Sequence, residues 1–121
     1  MSEFDRNIPI YLQIAEGITR KILSGIYAPG AKLPSVREIA AQEKINPNTA
    51  QRALSSLESE GLIVTERTSG RFVTENEALI AAKRRTAAAA QIAEFKKNMA
   101  EIGCSPAEWQ ELLKGELSEN E

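Results

Sequence analysis

Six of the seven residues in "NPNTAQR" (Asn46, Pro47, Asn48, Thr49, Gln51 and Arg52) crowd amide, hydroxyl and guanidinium groups around one proline. Asn and Gln can pair in bidentate fashion with adenine, and Arg with guanine, so such side chains displayed together suit hydrogen bonding to base edges in a major groove. Any solvated helix face can carry the same residue types, and the composition alone leaves that reading open. What weighs against it is the absence of any Asp or Glu from the first two helical turns that Pro47 opens, together with the segments that follow.

Other chemistries find little support. The chain has no His and a single cysteine, Cys104, which removes the commonest metal ligand, the commonest general base and any internal disulfide framework. Neither a Gly-rich phosphate loop nor a nucleophile elbow occurs. No catalytic residue, cofactor or metal is therefore expected. Hydrophobic residues make up 42% and aromatics 5% of the 121 residues, so a core must come from Ile, Leu, Val and Ala. No apolar run approaches the ~20 residues of a membrane span. The start "MSEFDRNIPIY" lacks the basic-then-apolar layout of a signal peptide, and a cytoplasmic location without membrane partners is expected. Net charge is −2, with nine basic and nine acidic residues up to Glu75 and six and eight thereafter. A nucleic-acid partner would thus be met by a few cations clustered on one face, not by bulk charge.

The elements that must hold these residues follow from periodicity. Ile10, Tyr11, Ile14, Ile18 and Ile22 share one helical face, and Pro9 suits the first turn. Ser24-Gly25 and Ala28-Pro29-Gly30 mark a turn. Ser35 caps a second helix with Glu38 completing a capping box, and Val36, Ile39 and Ala40 face inward. Asn46 caps a third helix with Pro47 in its first position, so the proline starts a helix instead of breaking one. This helix runs to about Glu60 and stops at Gly61, which leaves "EKIN" as a tight connection between two helices. Ala50, Ala53, Leu54 and Leu57 form its core face. Asn48, Gln51, Arg52 and Ser55 lie opposite, with Thr49 at the edge. "LIVTERTSGRFVTE" then predicts two strands, Leu62–Glu66 and Arg71–Thr74, around a tip at Thr68, Ser69 and Gly70. Helix, turn, helix and β-ribbon make a winged helix-turn-helix whose wing carries Arg67 and Arg71.

Residues 8–75 resemble the DNA-binding domain of GntR-family bacterial transcription regulators, on "IPIYLQIAEGI", "GIYAPGAKLPSVREIA" and "INPNTAQRALSSLESEGLI" in order and at the family's spacing. "NPNTAQRAL" and the short chain are similar to the YtrA-type subgroup, whose members carry a small helical tail. The resemblance implies a DNA-contact role for Arg37 in the second helix. It implies recognition roles for Asn46, Pro47, Asn48, Thr49 and Gln51, and sets Tyr11, Lys32 and Ser35 where backbone contact is expected. The wing departs from the family's Arg-Gly-x-Gly-x-Phe-Val in having Thr68 for the first glycine. Pro47 and Gln51 stand where some groups have arginines, which implies a different operator preference.

Beyond Glu77 the composition turns to Ala, Lys, Arg and Gln, all good helix formers. Ala88, Ile92, Phe95, Met99 and Ile102 recur at intervals of four, three, four and three, a coiled-coil-like stripe. It could pack on its own winged helix, but the chain offers little else to cover, and a second copy is the favoured partner. Gly103 ends this helix. Ser105, Pro106 and Glu108 then start another, with Trp109, Leu112 and Leu113 on its apolar face. Acid-rich "GELSENE" is expected to fray. Lys83-Arg84-Arg85, the only basic triplet, is read as a solvated run, or alternatively as lying near DNA that flanks a half-site.

The expected architecture is mostly α with a small β-wing: a winged helix-turn-helix over 1–75 and a helical dimerisation region over 76–121. The expected function is a homodimeric regulator of transcription, a repressor, on a palindromic double-stranded DNA operator. Any small-molecule effector is left open. The competing reading is a winged-helix protein-interaction module without specific DNA binding, which near-neutral charge over 1–75 keeps alive.

Overall fold

The computed structural model describes residues 6–119, which divide after Lys83 into two compact units. In the first, helix α1 spans Ile10–Leu23, α2 Val36–Glu43 and α3 Pro47–Ser59; strands β1 (Ile63–Glu66) and β2 (Gly70–Val73) follow. Helix α4 (Glu77–Glu101) crosses the division, and α5 (Pro106–Glu119) belongs to the second unit. The architecture is mostly helical with one small antiparallel sheet, as the sequence implies.

One apolar cluster holds the first unit together. Ile14, Ala15, Ile18 and Ile22 of α1 meet Ile39 and Ala40 of α2 and Ala50, Ala53, Leu54 and Leu57 of α3; Leu33, Leu62, Ile63, Val73 and Ile80 close it. The four α3 residues and Leu62 are wholly inaccessible, so α3 is the central element, packed against both α1 and α2. Each fully buried Leu or Ile contributes roughly 1.5–3 kcal/mol of burial free energy.

Helix ends explain where the elements stop. Pro9 (φ −53, ψ 138) sits at the N-cap of α1, one position before the first turn where the sequence had placed it. The helix consequently begins at Ile10, which is 42% exposed and not on the buried face. Ser35 and Glu38 form the expected capping box, the Ser35 hydroxyl accepting from the Glu38 N–H at 3.1 Å and the Ser35 N–H donating to Glu38 Oε1 at 2.9 Å. Glu43 stays within α2, so the connection is Lys44–Asn46, one residue shorter than "EKIN". The turn is made by Lys44 in the left-handed region (φ 57, ψ 49), with the Ile45 N–H returning to the Ala40 carbonyl at 3.0 Å. Gly61 and Gly103 end α3 and α4 in the same manner, with the following N–H bonded to a carbonyl five residues back: Leu62 to Leu57, and Cys104 to Met99.

β1 starts one residue later than expected and ends at Glu66 as expected, while β2 is shifted one residue toward the N-terminus. They pair Ile63 with Val73, Val64 with Phe72, Thr65 with Arg71 and Glu66 with Gly70. The other edge of β2 is covered by backbone around Lys32: the Leu33 N–H donates to the Arg71 carbonyl and the Val73 N–H to the Ala31 carbonyl. The wing is thus tied to the approach to α2 as well as to its own hairpin. Thr74 is buried, its N–H on the Leu62 carbonyl and its hydroxyl accepting from the Asn76 N–H. Asn76 in turn caps α4 through the Leu79 N–H, and Ile80 inserts into the core while Lys83 pairs with Glu60 at 3.0 Å.

In the second unit, Ser105 and Glu108 form the expected capping box of α5. Phe95 and Trp109 meet edge to face with ring centroids 5.3 Å apart. The helix spans Pro106–Glu119 and so takes in most of "GELSENE". Residues 120–121 lie outside the described residues.

Candidate nucleic-acid interface

The recognition face is built from the N-terminus of α3. Asn46 caps the helix by accepting the Asn48 N–H on Oδ1 at 2.7 Å, and Pro47 occupies the first position, where a missing N–H is harmless. Asn46, Pro47, Asn48, Gln51, Arg52 and Ser55 are exposed, and Thr49 is half-buried at the edge. Since Ala50, Ala53, Leu54 and Leu57 point wholly inward, the polar face is turned away from the core by helical geometry. Gln51 Nε2 lies 3.4 Å from Ser55 Oγ, a long bond within the face that an incoming acceptor can replace. The first turn of α3 carries no acid.

Arg37 is exposed on the first turn of α2. A cation there opposes the helix dipole, which costs roughly 0.3–1 kcal/mol, so its place is not explained by the stability of α2. Ser35 is committed to the capping box, yet a hydroxyl that accepts still has its own proton to donate. The N–H bond from Ser35 holds the Glu38 carboxyl below its ordinary range, with the Ser35 hydroxyl and nearby Lys32 acting in the same direction.

The wing tip differs from a pair of free basic arms. Arg67, Thr68 and Ser69 are exposed, and the Ser69 N–H closes on the Glu66 carbonyl at 3.3 Å. Arg71 is half-buried, with its Nε enclosed and without a hydrogen-bond partner. It lines a shallow cleft of about 220 Å³ with Lys32, Ser35 and Glu38 between wing and α2. Gly70, at φ 109, takes a conformation L side chains rarely adopt, and a Cβ there would meet Lys32 Cε at 3.1 Å. Lys32 therefore lies against the wing, an adjacency no spacing in the sequence announces.

Tyr11 lies in the first turn of α1, half-buried against the core, and the Arg52 guanidinium carbon sits 4.0 Å from its ring centroid. Sequence reading placed both in the interface but missed their contact, because 41 positions separate them and only the packing of α1 on α3 brings them together.

The tail residues form a different surface. Ala88, Ile92 and Ile102 are exposed, Ile102 by 77%, while Phe95 and Met99 are half-buried; Trp109 is half-buried and Leu112 and Leu113 exposed. No described side chain from Arg84 onward is buried. Among the described residues no helix is long and apolar enough to cross a membrane, and no cluster of His, Cys, Asp and Glu could hold a metal ion.

The model of the gntR family of bacterial regulatory proteins matches residues 10–73, from the start of α1 to the end of β2. The uncharacterized HTH-type transcriptional regulator YhcF of Bacillus subtilis is 38% identical over 113 residues, 93% of each chain. The HTH-type transcriptional repressor YtrA of the same organism is 48% identical over 68 residues, 56% of this chain and 52% of YtrA, so likeness to that subgroup's namesake spans about half of each chain. Among solved structures, a GntR family transcriptional regulator from Listeria monocytogenes aligns with a TM-score of 0.84 at 35% identity, covering 93% of this chain and 98% of its own. With its helix-turn-helix, wing and core accounted for by that match, the chain belongs to the gntR family of bacterial transcription regulators.

Proposed function

We propose that the chain is a cytoplasmic repressor that binds a specific, roughly palindromic double-stranded DNA operator as a homodimer. The observation that carries this reading is the exposed face of Asn48, Gln51 and Arg52 on α3, free of acids over its first turn and flanked by exposed Arg37 on α2. Asn48 and Gln51 offer donor and acceptor pairs to adenine and Arg52 a fork to guanine, while Arg37, Lys32 and the wing tip take phosphates on either side. Relatives with the printed role of transcriptional repressor support the direction of regulation.

The homodimer rests on the second unit. Two helices with no buried side chain after Lys83 among the described residues leave the tail short of a core of its own, and Ile92, Ile102 and Leu112 are more than half exposed. A second copy supplies the complementary apolar surface, and two-fold symmetry gives half-sites about one turn of DNA, ~10 bp, or a multiple apart.

Selection of duplexes from a random pool, followed by titration of the winning sequence, tests the proposal. The expected result is a two-fold-related consensus bound at least a thousandfold tighter than scrambled DNA. Enrichment of no sequence would remove the operator reading and favour a winged helix that contacts protein.

A further inference from the structure

We propose that Tyr11 is a positioning residue that holds Arg52 ready for base contact, and that its aromatic ring, not its hydroxyl, is what recognition requires. This rests on the DNA-binding reading above. The Arg52 guanidinium lies over the Tyr11 ring at 4.0 Å, well inside the ~6 Å range of a cation–π contact. The ring is a fixed platform because Tyr11 is half-buried against the apolar cluster that joins α1 to α3. Arg52 itself is exposed, and among the described residues no carboxylate pairs with it.

A free arginine on a helix surface samples many rotamers, and ordering it on binding forfeits side-chain entropy. Stacking removes much of that cost before DNA arrives. It also uses only the face of the guanidinium, while its five N–H donors radiate from the edge. A stacked Arg52 can therefore still present a two-donor fork to a guanine. The family resemblance casts Tyr11 as a backbone contact, in which case the hydroxyl would donate to a phosphate. The observed geometry assigns the work to the ring.

The experiment uses the full chain, the duplex selected from the random pool and a scrambled control. Tyr11→Phe should bind the selected duplex within twofold of wild type. Tyr11→Leu should lose about two- to fivefold, the size of an exposed cation–π contact, with less loss on scrambled DNA. In an Arg52→Ala background, Tyr11→Leu should cost nothing further, because the residue it positions is gone. Thermal melting checks that each variant is folded. If Tyr11→Leu melts below the assay temperature, Tyr11→Met carries the same reading. In the free wild-type chain, the Arg52 δ-protons should show upfield ring-current shifts in the NMR spectrum. Unshifted protons, a Phe variant as weak as Leu, a Leu penalty that persists without Arg52, or an Arg52→Ala variant that binds like wild type would each overturn the proposal. Failure of the wild-type chain to select any duplex would sink the functional reading and the base-contact role with it, whereas shifted Arg52 protons in that case would show that the stack itself still forms.

Discussion

Individual side chains in the interface divide by what they can read. Arg37 stands at the start of α2 against the helix dipole, and nothing in the fold needs its charge there. Asn48 and Gln51 are uncharged, and only paired hydrogen bonds to a base edge give them value in a groove. The two classes should therefore fail differently. Arg37→Ala should weaken selected and scrambled duplexes by similar factors and flatten the log–log salt dependence by about one unit. Asn48→Ala and Gln51→Ala should leave that slope alone and lower discrimination by roughly 1–3 kcal/mol each, seen as a relaxed preference at one or two base positions. If instead the preference matrix is unchanged in both amide variants, the face of α3 that meets DNA is a different one. Residue types and helical period made these candidates legible in the sequence. The Tyr11–Arg52 stack and the seating of Lys32 on Gly70 were not, since each joins segments far apart in the chain.

At the scale of elements, the helix-turn-helix angle is set by three residues between α2 and α3, and the turn depends on Lys44 at φ 57. A side chain with a Cβ pays about 1 kcal/mol or more in the left-handed region, whereas glycine does not. Lys44→Gly should accordingly stabilise the first unit by up to ~1 kcal/mol, partly offset by a more flexible unfolded chain. A midpoint in urea that falls instead of rising would show that the Lys44 side chain makes a compensating contribution. The start of α2 has a pH signature. Because the Ser35 N–H holds Glu38 below its ordinary 4.5, the folded state favours the ionised form. Its contribution is full above about pH 4.5 and is lost as pH falls through the lower folded value. Glu38→Gln should reduce the slope of the acid limb of the melting-temperature profile, and an unchanged limb would assign it to other carboxylates. Caps and glycines made element order readable: Ser35, Asn46, Gly61, Gly103 and Ser105 all act where local chemistry placed them. The errors fall at ends, where Pro9 caps instead of entering α1 and Glu43 remains helical, because one residue's choice there is settled by tertiary contacts the sequence does not print.

For the whole molecule the open issue is what covers the tail. The first unit closes on itself, with fifteen apolar residues in one buried cluster among those described. Among its described residues the second has only half-buried contacts, chiefly Phe95 on Trp109, and leaves Ile92 and Ile102 at 59% and 77% exposure. The 3.5-residue interval of this stripe describes a seam between helices and does not specify whose helix completes it. We infer a second copy, because a single winged helix reads too few base pairs for selectivity and a symmetric pair doubles the site. Ile92→Glu combined with Ile102→Glu would place two charges in that seam. Both positions are exposed within one chain, so the substitutions cost the tail little by themselves but leave unpaired charge buried in a dimer. The variant should sediment as a monomer, melt with its first unit intact, and bind the selected full operator no better than an isolated half-site. Phe95→Glu with Met99→Glu should give the same result by removing the half-buried members of the stripe. A variant that remains dimeric would place the interface on another surface, and a monomer that keeps full operator affinity would make dimerisation incidental to binding.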